Sequence, residues 1–183
     1  MALFIGCSRS KSKMKIGSQI IISWQYIKAK ILGLEPMNIS HVYGRFSGSS
    51  WGCDFIYQQQ GSGSHFMGGE RFSVLHQVVD EYELLVSKEL EIKIGQACVK
   101  REGQPYSFMQ NIGIGLVGIV WLLTFTKIVI KNPFTSNTNC LEEWVDILVE
   151  HLGIEKPPYV DSWLPQDFWT WFVNLPVIEE ENI

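Results

Sequence analysis

Cys140 is the residue in this chain best placed to do chemistry. It lies in the run Asn137-Thr138-Asn139-Cys140-Leu141-Glu142-Glu143-Trp144-Val145. Asn139 is a good helix N-cap and Glu142 falls at the capping-box position. Leu141, Trp144, Val145, Leu148, Val149 and Leu152 then keep helical spacing until Gly153. The cysteine therefore opens a helix. Unpaired backbone N–H groups and the positive end of the helix dipole favour a thiolate there, so Cys140 is expected to be more acidic than a core thiol and able to act as a nucleophile. A structural role competes with this, because Cys140, Trp144 and Leu148 share one helical face and free cysteines on apolar stripes are commonly buried and inert.

A thiol nucleophile needs a base, and the histidines are His41, His65, His76 and His151. His151 follows on the same helix, about 16 Å along the axis at roughly 1.5 Å per residue, which is out of reach. His41 opens a β-branched and aromatic run, Ser40-His41-Val42-Tyr43, where a side chain can face an adjacent helix terminus. His65 also falls in a strand-like run. Spacing does not choose between them, and a strand histidine is often purely structural.

These residues need elements to position them. The pattern predicts a strand over residues 2–6, a polar loop over 8–15, and a helix capped by Ser18 and closed by Gly33 and Pro36. Strands are predicted over 40–46, 53–59, 64–67 and 77–86, separated by glycine-rich turns, which implies three or four antiparallel strands. Ser87 caps a helix to about Arg101, and Gly103-Gln104-Pro105-Tyr106 is a turn. After the Cys140 helix, Pro157-Pro158 breaks the chain, and 164–173, with Phe168, Trp169, Trp171 and Phe172, reads as a short aromatic helix.

The uncharged, mostly apolar segment 111–126 approaches membrane-spanning length only if Lys127 is included, and Gly113, Gly115 and Gly118 weaken it as a helix. A buried helix is the expectation, with membrane contact through 111–130 left open. The same glycines spell Gly113-x-Gly115-x-x-Gly118, but no strand precedes them, so the match to a dinucleotide fingerprint is expected to be coincidental.

Composition narrows the function classes. With 183 residues and evenly spread apolar positions, a single domain over 1–183 is expected. The net charge of -4 argues against phosphate-backbone binding, so no nucleic-acid partner is expected. Cys7, Cys53, Cys98 and Cys140 form no C-x-x-C pair, so neither a zinc cage nor a redox motif is suggested and the thiols are expected to be reduced. No cleavable signal peptide is seen, because the opening apolar run precedes the basic residues instead of following them. Synthesis in the cytosol is expected, with later membrane association or virion packaging open.

The order of the motifs carries a resemblance. Ser40-His41-Val42, a strand ending Ile56-Tyr57-Gln58, Gly103-Gln104-Pro105-Tyr106, and Asn139-Cys140 opening a helix resemble the circularly permuted papain-like fold. That group includes permuted relatives of the NlpC cell-wall peptidases and the lecithin–retinol acyltransferases, and the histidine strand precedes the cysteine helix in it. The likeness covers about 1–153, leaving 154–183 as a C-terminal aromatic extension, and looks nearest to uncharacterised bacterial and phage members.

The resemblance implies an α+β domain with an antiparallel sheet against the nucleophile helix. It implies Cys140 as nucleophile, His41 as base, Gln58 as the residue that orients the imidazole, Tyr106 at the substrate pocket, and the Cys140 N–H in an oxyanion hole. Gln58 stands where relatives carry Glu or another polar residue, and an amide orients without stabilising imidazolium by charge. The implied activity is thiol-dependent hydrolysis or acyl transfer on a peptide, peptidoglycan or lipid ester, without cofactor or metal. The alternative is a weakly active or inactive interaction protein of the same fold, associated with a membrane or not.

Overall fold

The computed structural model describes residues 2–11, 16–48, 54–60, 62–124, 130–134 and 139–175. Cys53 and residues 125–129, which carry part of the expectations above, lie outside them. Among the described residues the fold is α+β, with five strands in one antiparallel sheet and six α-helices.

The strands are β1 (Ala2–Ser10), β2 (His41–Ser47), β3 (Phe55–Gln60), β4 (Gly63–Gly68) and β5 (His76–Glu83), in the spatial order β4-β3-β2-β1-β5. β1 is longer than expected. Ser8, Arg9 and Ser10 are polar, but Ser8 is paired with both β2 and β5, and Arg9 and Ser10 continue the ladder with Gln77 and His76 of β5, which outweighs the loop-like composition.

The helices are α1 (Ile16–Leu32), α2 (Gly69–Leu75), α3 (Lys88–Arg101), α4 (Phe108–Leu123), α5 (Cys140–Leu152) and α6 (Pro165–Val173). Two of the three predicted N-caps appear where expected, whereas α1 already begins at Ile16, so Ser18 lies within the helix and does not precede it. Ser87 Oγ accepts from Leu90 N–H, and Asn139 Oδ1 accepts from the N–H groups of Leu141 and Glu142 at 2.9 and 3.0 Å. Glu142 does something other than close a capping box, since its carboxylate accepts from Gln110 Nε2 on α4 at 2.9 Å.

Alternation along β2 gives the sheet two different faces. Val42 and Phe46 point toward α5 and join Leu3, Ile5, Cys7, Tyr57, Cys98, Trp144 and Leu148 in the main core. Gly44 lies on this face because Trp144 crosses it, and a Cβ there would fall 2.2 Å from the indole. Phe168, Trp169 and Phe172 of α6 complete the same core, so the C-terminal aromatic segment is built into it. Tyr43 and Arg45 point the other way. Tyr43 meets Phe72 of α2, and its hydroxyl donates to Glu81 Oε1 at 2.8 Å. Arg45 reaches the same glutamate.

α4 packs on α1, and its glycines mark close contacts with α1 and with the segment that follows α4. A Cβ on Gly118 would meet Trp24 of α1 at 2.6 Å, and one on Gly113 would meet Asn132 Oδ1 at 1.8 Å. Asn132 donates from there to the carbonyls of Gln110 and Asp161. The glycine pattern thus serves side-chain contacts across α4. α4 spans 16 residues, and no helix among the described residues is long and apolar enough to cross a membrane.

Candidate active site

Cys140 is 6 % exposed, at the first turn of α5, with its sulfur near the backbone N–H of Val42 on β2. Burial pushes the thiol up to about 11. The Glu143 carboxylate adds to the rise, while the N–H groups of Val42, Cys140 and Leu141 oppose it. The helix terminus thus leaves Cys140 below the buried core thiol Cys7, which is pushed up to about 12, but does not make it acidic. Backbone dipoles are worth a limited amount at a helix end, and loss of solvent around the sulfur outweighs them.

His41, also 6 % exposed, starts β2. Its Nε2 lies 2.8 Å from Gln58 Oε1 on the neighbouring strand. The orienting contact expected of Gln58 is thus present in the geometry. Burial lowers the imidazole to about 3. The nearby His76 and His65 add to this, and the bond to Gln58 opposes it. His41 shares a sheet face with Tyr43, and its ring centroid is 5.6 Å from that of His76, which stacks on Phe72 of α2. His41 and Cys140 therefore approach adjacent residues of β2 from opposite faces, the imidazole on the α2 side and the sulfur on the α5 side.

The polarity of this network can be followed atom by atom. A glutamine oxygen only accepts, so His41 carries its proton on Nε2 and leaves Nδ1 as a lone pair. Gln58 Nε2 lies 3.3 Å from His65 Nε2, and His65 Nδ1 lies 2.9 Å from the Gly63 carbonyl. Gln60 Nε2 also donates to Gln58 Oε1 at 2.9 Å and lies 2.8 Å from His76 Nε2.

Tyr106 sits beside Cys140. Its hydroxyl accepts from Asn111 Nδ2 at 2.7 Å, and burial followed by the charge of a Cys140 thiolate holds it well above the usual phenol range. His151 is at the far end of α5. Among the described residues no group of three or more His, Cys, Asp or Glu side chains is arranged to hold a metal ion.

Glu143 was not singled out by the sequence. It is 1 % exposed, accepts from the Tyr57 hydroxyl at 2.6 Å, and binds Ser64 Oγ through both oxygens at 2.9 and 3.0 Å. Burial raises its carboxyl, and the bonds from Tyr57 and Ser64 counter the rise. The available signal was its position at i+3 from Cys140 and i-4 from Ile147, inside the apolar stripe. A buried carboxylate there needs donors, and β3 and β4 supply them.

No family model, curated protein or solved structure matches this chain.

Proposed function

We propose that the chain is a thiol-dependent hydrolase or acyltransferase of the permuted papain-like group, with Cys140 as nucleophile, His41 as general base and Gln58 as the residue that orients it. One observation carries the reading: the Cys140 sulfur meets the N–H of Val42, the residue next to His41, whose own imidazole is held by Gln58. Two motifs far apart in the sequence converge on two adjacent backbone positions.

Both groups are neutral here, so the chemistry is general-base catalysis without a preformed ion pair. The sulfur forms a bond to the carbonyl carbon of an amide or ester while its proton passes to His41 Nδ1. The carbonyl electrons move to oxygen, where the Cys140 N–H donates to the oxyanion. Collapse expels the amine or alcohol, which takes the proton from His41 and leaves an acyl-enzyme. Water or another acceptor then attacks the acyl carbon, giving its proton to His41; the C–S bond breaks, the acyl product leaves, and the departing sulfur takes the proton back from His41 to restore the thiol. Tyr106 borders the reacting centre. Peptide, peptidoglycan cross-bridge and lipid ester are the substrate classes this supports. Because the two groups lie on opposite faces of β2, the transfer requires a rearrangement that brings His41 Nδ1 to the sulfur around the start of the strand, where pairing with β3 ends at Tyr43.

A second reading, a non-catalytic interaction protein of the same fold, draws on the placement of His41 and Cys140 on opposite faces and on the raised thiol. The exposed Ile27 and Ile31 on α1 and Leu116, Ile119 and Leu123 on α4 would then form the contact surface, against a membrane or another protein. Electrophilic peptide and ester probes separate the two. Labelling of Cys140 in the wild type that is lost in both Cys140→Ala and His41→Ala supports the enzyme. Labelling that is absent, or indifferent to His41, supports the interaction protein.

A further inference from the structure

We infer that His65 is a positioning residue, which acts through the Gln58 amide to select the His41 tautomer that leaves Nδ1 free to accept a proton. This rests on the proposed role of His41, and the experiment below distinguishes the two.

A glutamine side chain has two ends of similar shape and opposite hydrogen-bonding character, so its orientation must be fixed by its neighbours. With Oε1 toward His41, that ring is protonated at Nε2 and basic at Nδ1. Rotated by half a turn, Gln58 would present its NH2 to His41 Nε2. The ring would then carry its proton on Nδ1, where it could take none from a thiol.

Three groups touch the amide ends besides His41, namely His65, Gln60 and Met67, and they differ in how firmly they are themselves oriented. Gln58 Nε2 lies 3.2 Å from Met67 Sδ, a weak acceptor. Gln60 is another amide that can turn, and its far contact, His76, ends on the Ser8 hydroxyl at 3.4 Å, which can donate or accept. That branch has no fixed polarity. His65 does, because its Nδ1 faces the Gly63 carbonyl at 2.9 Å and a backbone carbonyl only accepts. His65 Nδ1 therefore carries the proton, its Nε2 is an acceptor, and the Gln58 NH2 at 3.3 Å is the group that matches it. Rotation of Gln58 would set oxygen against the His65 lone pair, a mismatch that turning Gln60 cannot relieve. The polarity of one peptide carbonyl on β4 is thereby transmitted through His65 and Gln58 to the far nitrogen of His41.

The readout is the His41 tautomer, from imidazole nitrogen chemical shifts in nitrogen-15-labelled protein, together with the iodoacetamide rate at Cys140 measured by mass spectrometry. In the wild type His41 should be protonated at Nε2. His65→Phe, which keeps a ring and removes the acceptor, should populate the Nδ1–H form and slow Cys140 alkylation roughly five- to tenfold, the factor carried by one net hydrogen bond. His65→Asn, whose side-chain oxygen can accept from Gln58, should restore the Nε2–H form. In a Gln58→Glu background, where both ends accept and no orientation remains to be chosen, His65→Phe should leave the tautomer unchanged. An unaltered His41 tautomer in His65→Phe would overturn the inference. So would its loss in both His65→Phe and His65→Asn, which would assign the effect to packing. A tautomer change without any change at Cys140 would uphold the role of His65 and remove His41 from the chemistry of the thiol.

Discussion

Nε2 of His41 lies 2.8 Å from Oε1 of Gln58, buried on the sheet face that α5 does not cover. A neutral amide is the nearest partner of an imidazole that burial has taken out of water, and so the ring stays uncharged.

Acid stability should follow from this. The folded ring takes a proton only near about 3, against an ordinary value of 6.5. Between those limits the unfolded chain binds more protons, so stability is complete above about pH 6.5 and is lost as pH falls toward 3. His76, lowered by burial as well, adds in the same direction. Urea unfolding at pH 7, 5.5 and 4 should show the decline, and His41→Gln should flatten it by about 1 kcal/mol or more. An equal slope in wild type and variant would contradict the buried neutral imidazole.

The Cys140 thiol should titrate high. In the free protein, site-resolved iodoacetamide labelling should rise with pH toward a midpoint near 11. Glu143→Gln removes a negative charge that opposes the thiolate, and an amide oxygen can still accept from Tyr57, so the midpoint should move down. Rapid labelling near pH 6 would mean that the helix terminus prevails over burial after all.

Gly44 is under Trp144, so Gly44→Ala should force the indole or β2 to move. A loss of about 1–3 kcal/mol is expected, the usual cost of overfilling a close-packed site. Gly68→Ala is the control, because a Cβ there meets nothing within 4 Å. Urea midpoints for the two variants make the comparison, and equal effects would show that the Gly44 contact is not limiting.

Asn139→Ala deletes the acceptor for two N–H groups at the start of α5 and should destabilise the protein by about 1 kcal/mol. Asn139→Ser should retain most of that stability. Thermal unfolding of the three proteins tests it, and an unchanged midpoint in Asn139→Ala would show that the α5 terminus is held by packing alone.

The local elements were readable from the sequence because their signals are local. Caps at Ser87 and Asn139, the breaks at Gly33 and Gly153, and the apolar stripe of α5 depend on side chains acting within a turn or two of their own position. The antiparallel strands were likewise marked by alternation and by glycine turns. The length of β1 was not, since its polar end is held by ladders to strands distant in sequence.

The candidate site divides along the same line. Sequence alone put Cys140 at a helix start, and the resemblance paired His41 with Gln58, whose contact is present. Tertiary structure decided the rest. Which face of β2 each side chain takes follows from strand register, and the charge state of the thiol from the solvent excluded around it. The donors for Glu143 come from Tyr57 and Ser64, and the polarity of Gln58 from His65 and Gly63. No run of residues encodes these relations, because each joins elements that meet only once the sheet has formed and α5 has closed over it.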